Sequence, residues 1–277
     1  MDAESAFADI RKNIAEGRTD MVAPAVMELA ESDGDPITLI KCMSLLKVID
    51  DRETSKRILG MLMERIPEDR EMAFQIANAL RSLGYPSSAL SVAKEMDRDD
   101  RTVRIAVSCL IDLEEYEEAL DWSGRIAEPT PFDRVMLTEI YSAIGEHSDA
   151  ISIAEGLLKE YPDNYQVRKA YVSALIVAGK DKDAIRYART SLKDKTADSN
   201  SIAAYVLRIA GNTKAAAGYA TRAINIDNGH IGAMETLGIC LALKGEYDKA
   251  RIVAGAINEK SPGDKAALNI LGYCEGH

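Results

Sequence analysis

Between Val167 and Ala178 the chain reads VRKAYVSALIVA, with apolar residues at Val167, Ala170, Tyr171, Ala174, Leu175 and Ala178. That i, i+3, i+4, i+7 spacing lays one apolar stripe along an α-helix. The turn residues Gly179-Lys-Asp-Lys-Asp183 interrupt it, and Ala184, Ile185, Ala188 and Leu192 resume it in a partner helix. The pattern predicts a helical hairpin. No stretch alternates apolar and polar residues for long enough to argue for a strand.

The hairpin recurs along the chain. The helix-stop position reads Gly17, Asp50, Gly84, Glu114, Gly145, Gly179, Gly211 and Gly245, at intervals of 33, 34, 30, 31, 34, 32 and 34 residues. Five residues further on stand Val22, Ser55, Ala89, Ala119, Ala150, Ala184, Ala216 and Ala250, where a small side chain lets two helices cross closely. Seventeen residues after the stop, four units carry a proline: Pro67, Pro131, Pro162 and Pro262. Proline is tolerated at a helix start and ends what precedes it.

These residues and this period resemble the tetratricopeptide repeat family. The match is best over Ile231–Asp264, with Leu237-Gly238, Leu241, Gly245, Tyr247, Ala250 and Pro262, and over Phe132–Asn164, with Leu137, Tyr141, Gly145, Ala150 and Pro162. The resemblance implies an all-α fold, a right-handed α-solenoid (superhelix) forming one repeat domain over 1–277. About eight helix-turn-helix units are expected at 3–35, 36–69, 70–99, 100–130, 131–164, 165–196, 197–230 and 231–264, with a short C-terminal helix over 265–277. The family's early tryptophan is missing, and its mid-second-helix aromatic is replaced by Ala93, Ser123, Ala154, Ala188, Ala220 and Ala254, so closer helix packing is expected. Units one and two diverge most. The loop Met96–Arg101 between the short third and fourth units must be tight.

Composition narrows the task. The chain has 277 residues, is 47% hydrophobic and only 5% aromatic, and carries a net charge of −11. Such an acidic chain repels phosphate backbones, so no nucleic-acid partner is expected. No segment suits a bilayer span and the N-terminus is not a signal peptide, which makes cytoplasm the expected compartment and excludes a membrane partner. Cys42, Cys109, Cys240 and Cys274 are far apart among apolar residues and read as buried free thiols. The three histidines, His147, His230 and His277, lack metal-ligand spacing. Asp33-Gly-Asp35 reads as a turn, and Glu114-Glu115 with Glu117-Glu118 as solvated charge at a helix start. Trp122 and the methionines of the first third, among them Met43, Met63 and Met72, read as core. No catalytic motif is present, so neither an enzyme nor a cofactor is expected.

Binding is the remaining task. In the resembled family the first helix of each unit lines the inner, concave surface, which makes Lys41, Lys47, Gln75, Asn78, Arg81, Arg101, Arg104 and Lys169 the candidate binding stripe. Arginine and lysine beside amides suit an acidic or carboxylate-ended segment of another protein. Some members clamp a partner's terminal carboxylate from three successive units. Asn78 matches that pattern in type, but the full set does not line up and the specificity does not carry over. The reading is a protein–protein interaction scaffold holding a peptide or helical segment in its concave groove. The alternative is a structural homo-oligomer assembled through repeat ends such as Leu268, Leu271 and Tyr273.

Overall fold

The computed structural model describes residues 3–96, 99–261 and 264–275. Pro262 and His277 therefore lie outside the described residues, as do Asp97 and Arg98 of the loop expected to be tight. Among the described residues there is no strand. The described residues form seventeen α-helices, joined in places by 3-10 turns at Thr19–Met21 and Leu192–Asp194.

The chain divides into two compact units, Met1–Ala127 and Glu128–His277. The first contains α1 (Ala3–Ala15), α2 (Val22–Asp33), α3 (Pro36–Val48), α4 (Arg52–Met63), α5 (Arg70–Leu83), α6 (Pro86–Glu95), α7 (Asp100–Asp112) and α8 (Tyr116–Ser123). The second contains α9 (Pro131–Ala143), α10 (His147–Glu160), α11 (Tyr165–Val177), α12 (Asp181–Ser191), α13 (Ala197–Ile209), α14 (Thr213–Ile226), α15 (Ile231–Ala242), α16 (Tyr247–Lys260) and α17 (Lys265–Gly272). Odd-numbered helices up to α15 are first helices of hairpins and even-numbered ones second helices. Asp100 and Arg101, expected in a loop, already belong to α7.

The hairpin turn has one conformation throughout. All eight helix-stop residues have φ between 53° and 92°, including the non-glycines Asp50 and Glu114. A left-handed residue just past a helix end reverses the chain and satisfies the last carbonyls. Asp33-Gly34-Asp35 is a turn of the same kind between units, with Gly34 left-handed after α2 and Asp35 capping α3.

Every first helix from α3 onward is entered through a side-chain cap. Asp35, Asp69, Asp99, Thr130, Asn164, Thr196 and His230 each accept a backbone N–H from the first turn of the helix that follows. Thr130 and Asp133 form a reciprocal capping box, with Pro131 as the first helical residue of α9. Each such cap stabilises its helix by about 1 kcal/mol.

The crossing position behaves as its size demands. Val22, Ala89, Ala119, Ala150, Ala184, Ala216 and Ala250 are fully buried, and Ser55 nearly so. Ala93, Ala154, Ala188, Ala220 and Ala254 are buried at the middle of the second helices, while Ser123 is half-buried. Gly238 is needed for close approach. A Cβ there would lie 2.7 and 3.0 Å from Cγ1 and Cγ2 of Ile270 on α17, and nearer still to Cδ1.

Two local expectations change, for the α11 stripe and for the methionines. The buried face of α11 is wider than the stripe, because Val172 and Arg168 are buried while Ala170, Tyr171 and Ala178 are only half-buried. A first helix is packed by its own partner, by the preceding second helix and by neighbouring first helices, so one stripe is too narrow. The C-terminal helix packs through Ala266, Ala267, Ile270 and the following Cys274, whereas Leu268 and Tyr273 point outward. Of the methionines, Met43 is fully buried but Met21 is exposed.

All four cysteines are buried and free, and burial pushes the Cys42 and Cys109 thiols up to about 12. No described helix is long and apolar enough to cross a membrane.

Candidate functional site

The polar residues chosen from the sequence fall on two first-helix faces, one in each compact unit. In the first unit, α3, α5 and α7 present them side by side. Lys47 donates to the Ser82 carbonyl at 2.8 Å, and desolvation lowers its pKa. Arg81 pairs with Asp112 at 2.7 Å, and Arg104 lies 3.6 Å from Asp100. Arg101 grips both Glu71 oxygens, at 3.0 and 3.2 Å, and stacks over Phe74 at 4.0 Å. The Arg101 hydrogen bond holds the Glu71 carboxyl below its usual range. Lys41 lies 5.6 Å from the Phe7 ring centroid, and Gln75 and Asn78 are exposed on α5.

The cations of this face therefore act first as struts. Lys47, Arg81 and Arg101 each tie one first helix to the next, and Arg70 does the same to Asp99 at 2.6 Å. Solvent screens exposed contacts of this kind, so each adds little to stability. Their charge is largely matched by Glu71, Asp99, Asp100 and Asp112.

The second face is built differently. Lys169, alone of the sequence-derived set, lies here, on α11. It reaches Glu235 of α15 at 3.8 Å across the Tyr205 ring of the intervening α13, 5.7 Å from its centroid. Burial alone would lower the Lys169 pKa, but Tyr165, Glu235, Tyr205 and Glu139 outweigh it and the pKa is raised. The Tyr165 and Ser201 hydroxyls are 3.1 Å apart, as are those of Ser173 and Tyr205. Tyr165 also meets His230 edge-on at 4.7 Å. His230 caps α15 through Nδ1 and approaches Asp198 through Nε2 at 3.0 Å.

Beside this cluster, α13, α15 and α17 border an open, shallow cleft of about 480 Å³ lined by Arg208, Glu235, Ile239, Leu268, Asn269, Gly272 and Tyr273. Asn269 donates to Glu235 at 2.6 Å, so both Glu235 oxygens are engaged. The Arg208 Nε is buried with no hydrogen-bond partner, while its guanidinium sits 5.6 Å from the Tyr205 ring. Leu268 and Tyr273 form an exposed apolar rim. The cleft offers a guanidinium donor, an amide and an apolar wall together, which suits a polypeptide segment. Among the described residues no group of three or more His, Cys, Asp or Glu side chains could hold a metal.

Sequence reasoning passed over Tyr165, Tyr205, Arg208, Glu235 and Asn269. The signal was the repeat register itself. Lys169, Ser201, Glu235 and Asn269 follow one another at one-unit spacing, and so do Ser173, Tyr205, Ile239 and Tyr273. Read as columns across units, these positions form two adjacent rows on the face of α11, α13, α15 and α17.

The molecule is thus an all-α repeat protein made of stacked helical hairpins. A crystal structure of a tetratricopeptide repeat protein from Parabacteroides merdae is similar to it over 86% of this chain and 98% of that one, at 12% identity and a TM-score of 0.54. Yeast Tom70 is similar over 99% of this chain and 64% of that one, at 12% identity and a TM-score of 0.52. No family model and no curated protein sequence matches the chain. The chain has the fold of the tetratricopeptide repeat proteins.

Proposed function

We propose that the protein is a non-enzymatic interaction scaffold whose eight-unit repeat domain holds a segment of a partner protein on its first-helix faces. The observation that carries this reading is the α13–α15–α17 cleft, where a guanidinium with a buried, unpartnered Nε adjoins an exposed Leu268–Tyr273 rim. Arg208 lines the cleft, so the accessible part of its guanidinium can donate to a carbonyl or carboxylate of a bound segment. The paired stripe of Lys41, Lys47, Gln75, Asn78, Arg81, Arg101 and Arg104 is a second candidate contact. An acidic segment there must compete with Glu71, Asp100 and Asp112.

Affinity capture from lysate tests this with three baits. They are the wild type, an Arg208→Glu/Tyr273→Ser variant, and a Lys41→Glu/Arg81→Glu/Arg101→Glu/Arg104→Glu variant, each verified as helical by circular dichroism. A partner kept by the stripe variant and lost by the cleft variant is the expected result. A partner kept by both baits removes the first-helix faces from the account. Homo-oligomer formation is the second reading, favoured by the exposure of Leu268 and Tyr273. A mass in solution that stays monomeric as concentration rises excludes it.

A further inference from the structure

The second compact unit exposes an apolar row that the packing of its repeats does not use. Val177, Ile209 and Leu243 are 52%, 43% and 53% exposed. Each stands two residues before the left-handed glycine of its unit, at the end of α11, α13 and α15. Ala143, also exposed, holds the same position in the preceding unit. The three large aliphatics therefore form one line along the hairpin-turn edge, away from the Lys169 cluster nearer the other end of these helices.

Charge around the row is one-sided. Lys180, Lys182, Lys214 and Lys244 flank the three turns, all exposed, and among the described residues none makes an ion pair or side-chain hydrogen bond. Asp183, Glu246 and Asp248 on this edge are already paired, with Arg186, Lys249 and Arg251. Asp181 is the remaining acid. In a chain of net charge −11, four uncommitted lysines beside three exposed aliphatics are a local reversal of sign.

We propose that this turn edge is a docking surface for an acidic amphipathic helix of a partner protein. Its pitch selects the occupant. Consecutive first helices pack directly against one another here, which sets the aliphatics about 10 Å apart. A helix with apolar residues at i, i+7 and i+14 repeats at about 10.5 Å. Such a helix lying across the turns places one apolar side chain against each of Val177, Ile209 and Leu243, and its flanking glutamates meet the lysines. The surface is separate from the Arg208 cleft, so the two assignments stand or fall independently.

The test uses the full chain and a labelled synthetic helix with leucine at i, i+7 and i+14 flanked by glutamates, read by fluorescence anisotropy. A peptide of the same composition in permuted order is the control. The designed peptide should bind saturably and the permuted one about tenfold or more weakly. A Val177→Ser/Ile209→Ser/Leu243→Ser variant should lose about tenfold or more in affinity, and a Lys180→Gln/Lys214→Gln variant should bind more weakly with a shallower salt dependence. Tyr273→Ser, at the cleft, should leave this binding unchanged. All the substituted residues are exposed, so the variants should keep the wild-type circular dichroism spectrum. Equal binding of the two peptides, or unaltered binding by the aliphatic variant, overturns the proposal. So does retention on phosphatidylserine-containing vesicles that the same substitutions abolish, which would assign the edge to a membrane surface. A concentration-dependent mass lost in the aliphatic variant would assign it to a second copy of the chain.

Discussion

Among the described residues, nine leucine, isoleucine and methionine side chains are fully buried in the first compact unit, Ile10, Leu39, Met43, Leu46, Ile58, Leu62, Ile76, Leu80 and Leu110, against five in the second, Ile140, Leu157, Ile202, Ile257 and Ile270. The second unit closes instead on alanines, among them Ala150, Ala184, Ala188, Ala203, Ala216, Ala220, Ala250 and Ala254. Both units nevertheless repeat the same hairpin with the same left-handed turn. The turn and the crossing position define the hairpin, and the filling of the core is free to vary. The filling has a consequence for the faces. Small side chains at helix contacts bring axes closer. In the alanine-rich unit, Lys169 of α11 meets Glu235 two first helices away. In the aliphatic unit, Lys47, Arg81 and Arg101 reach only the adjacent first helix.

The comparison breaks most visibly at a large core residue. Leu80→Ala should destabilise the first unit by about 2–5 kcal/mol, the usual range for a leucine cavity. Trp122 is the only tryptophan, is buried and belongs to the same unit, so its fluorescence during urea unfolding reads this loss. The opposite substitution probes the other unit. Ala220→Leu should cost about 1–3 kcal/mol by overpacking, read by circular dichroism during urea unfolding. A leucine accepted there without cost would mean that the alanine contacts are loose, and that close approach does not explain the Lys169–Glu235 reach.

Much of the hairpin was legible because it rests on local chemistry. Gly245 and Ala250 mark a turn and a crossing whose geometry needs those residue types, and all eight turns are where the period puts them. The candidate site was legible only in part. Choosing exposed cations along one helix finds Arg81 and Arg101, but it cannot see that Asp112, one unit on, and Glu71, one unit back, stand opposite them. The Lys169 cluster is assembled from four helices, and its tyrosines look like ordinary core residues when each helix is read alone. The packing of α17 depends on a similar relation. Ile270 is buried because Gly238 leaves room for it, a relation between residues a unit apart.

The finest difference between the two units is in their turns. The second unit has glycine at all four of its hairpin stops, its left-handed Lys195 lying between hairpins, whereas the first has Asp50 and Glu114 at two of its four stops. A left-handed conformation costs an L-residue about 1–2 kcal/mol, less for aspartate, whose short side chain can bond locally. Part of that relief is offset by the extra freedom glycine brings to the unfolded chain. Glu114→Gly should therefore stabilise the first unit by about 1 kcal/mol, and Asp50→Gly by less. The urea midpoint followed through Trp122 measures both. Glu114→Ala separates backbone from charge, since it removes the carboxylate but keeps the Cβ that resists φ of 61°. If the alanine variant gains as much as the glycine one, the benefit comes from lost repulsion with Glu115, Glu117 and Glu118. If only glycine gains, the first unit carries turn strain that the second has shed, and its bulkier aliphatic core is what holds those two turns in place.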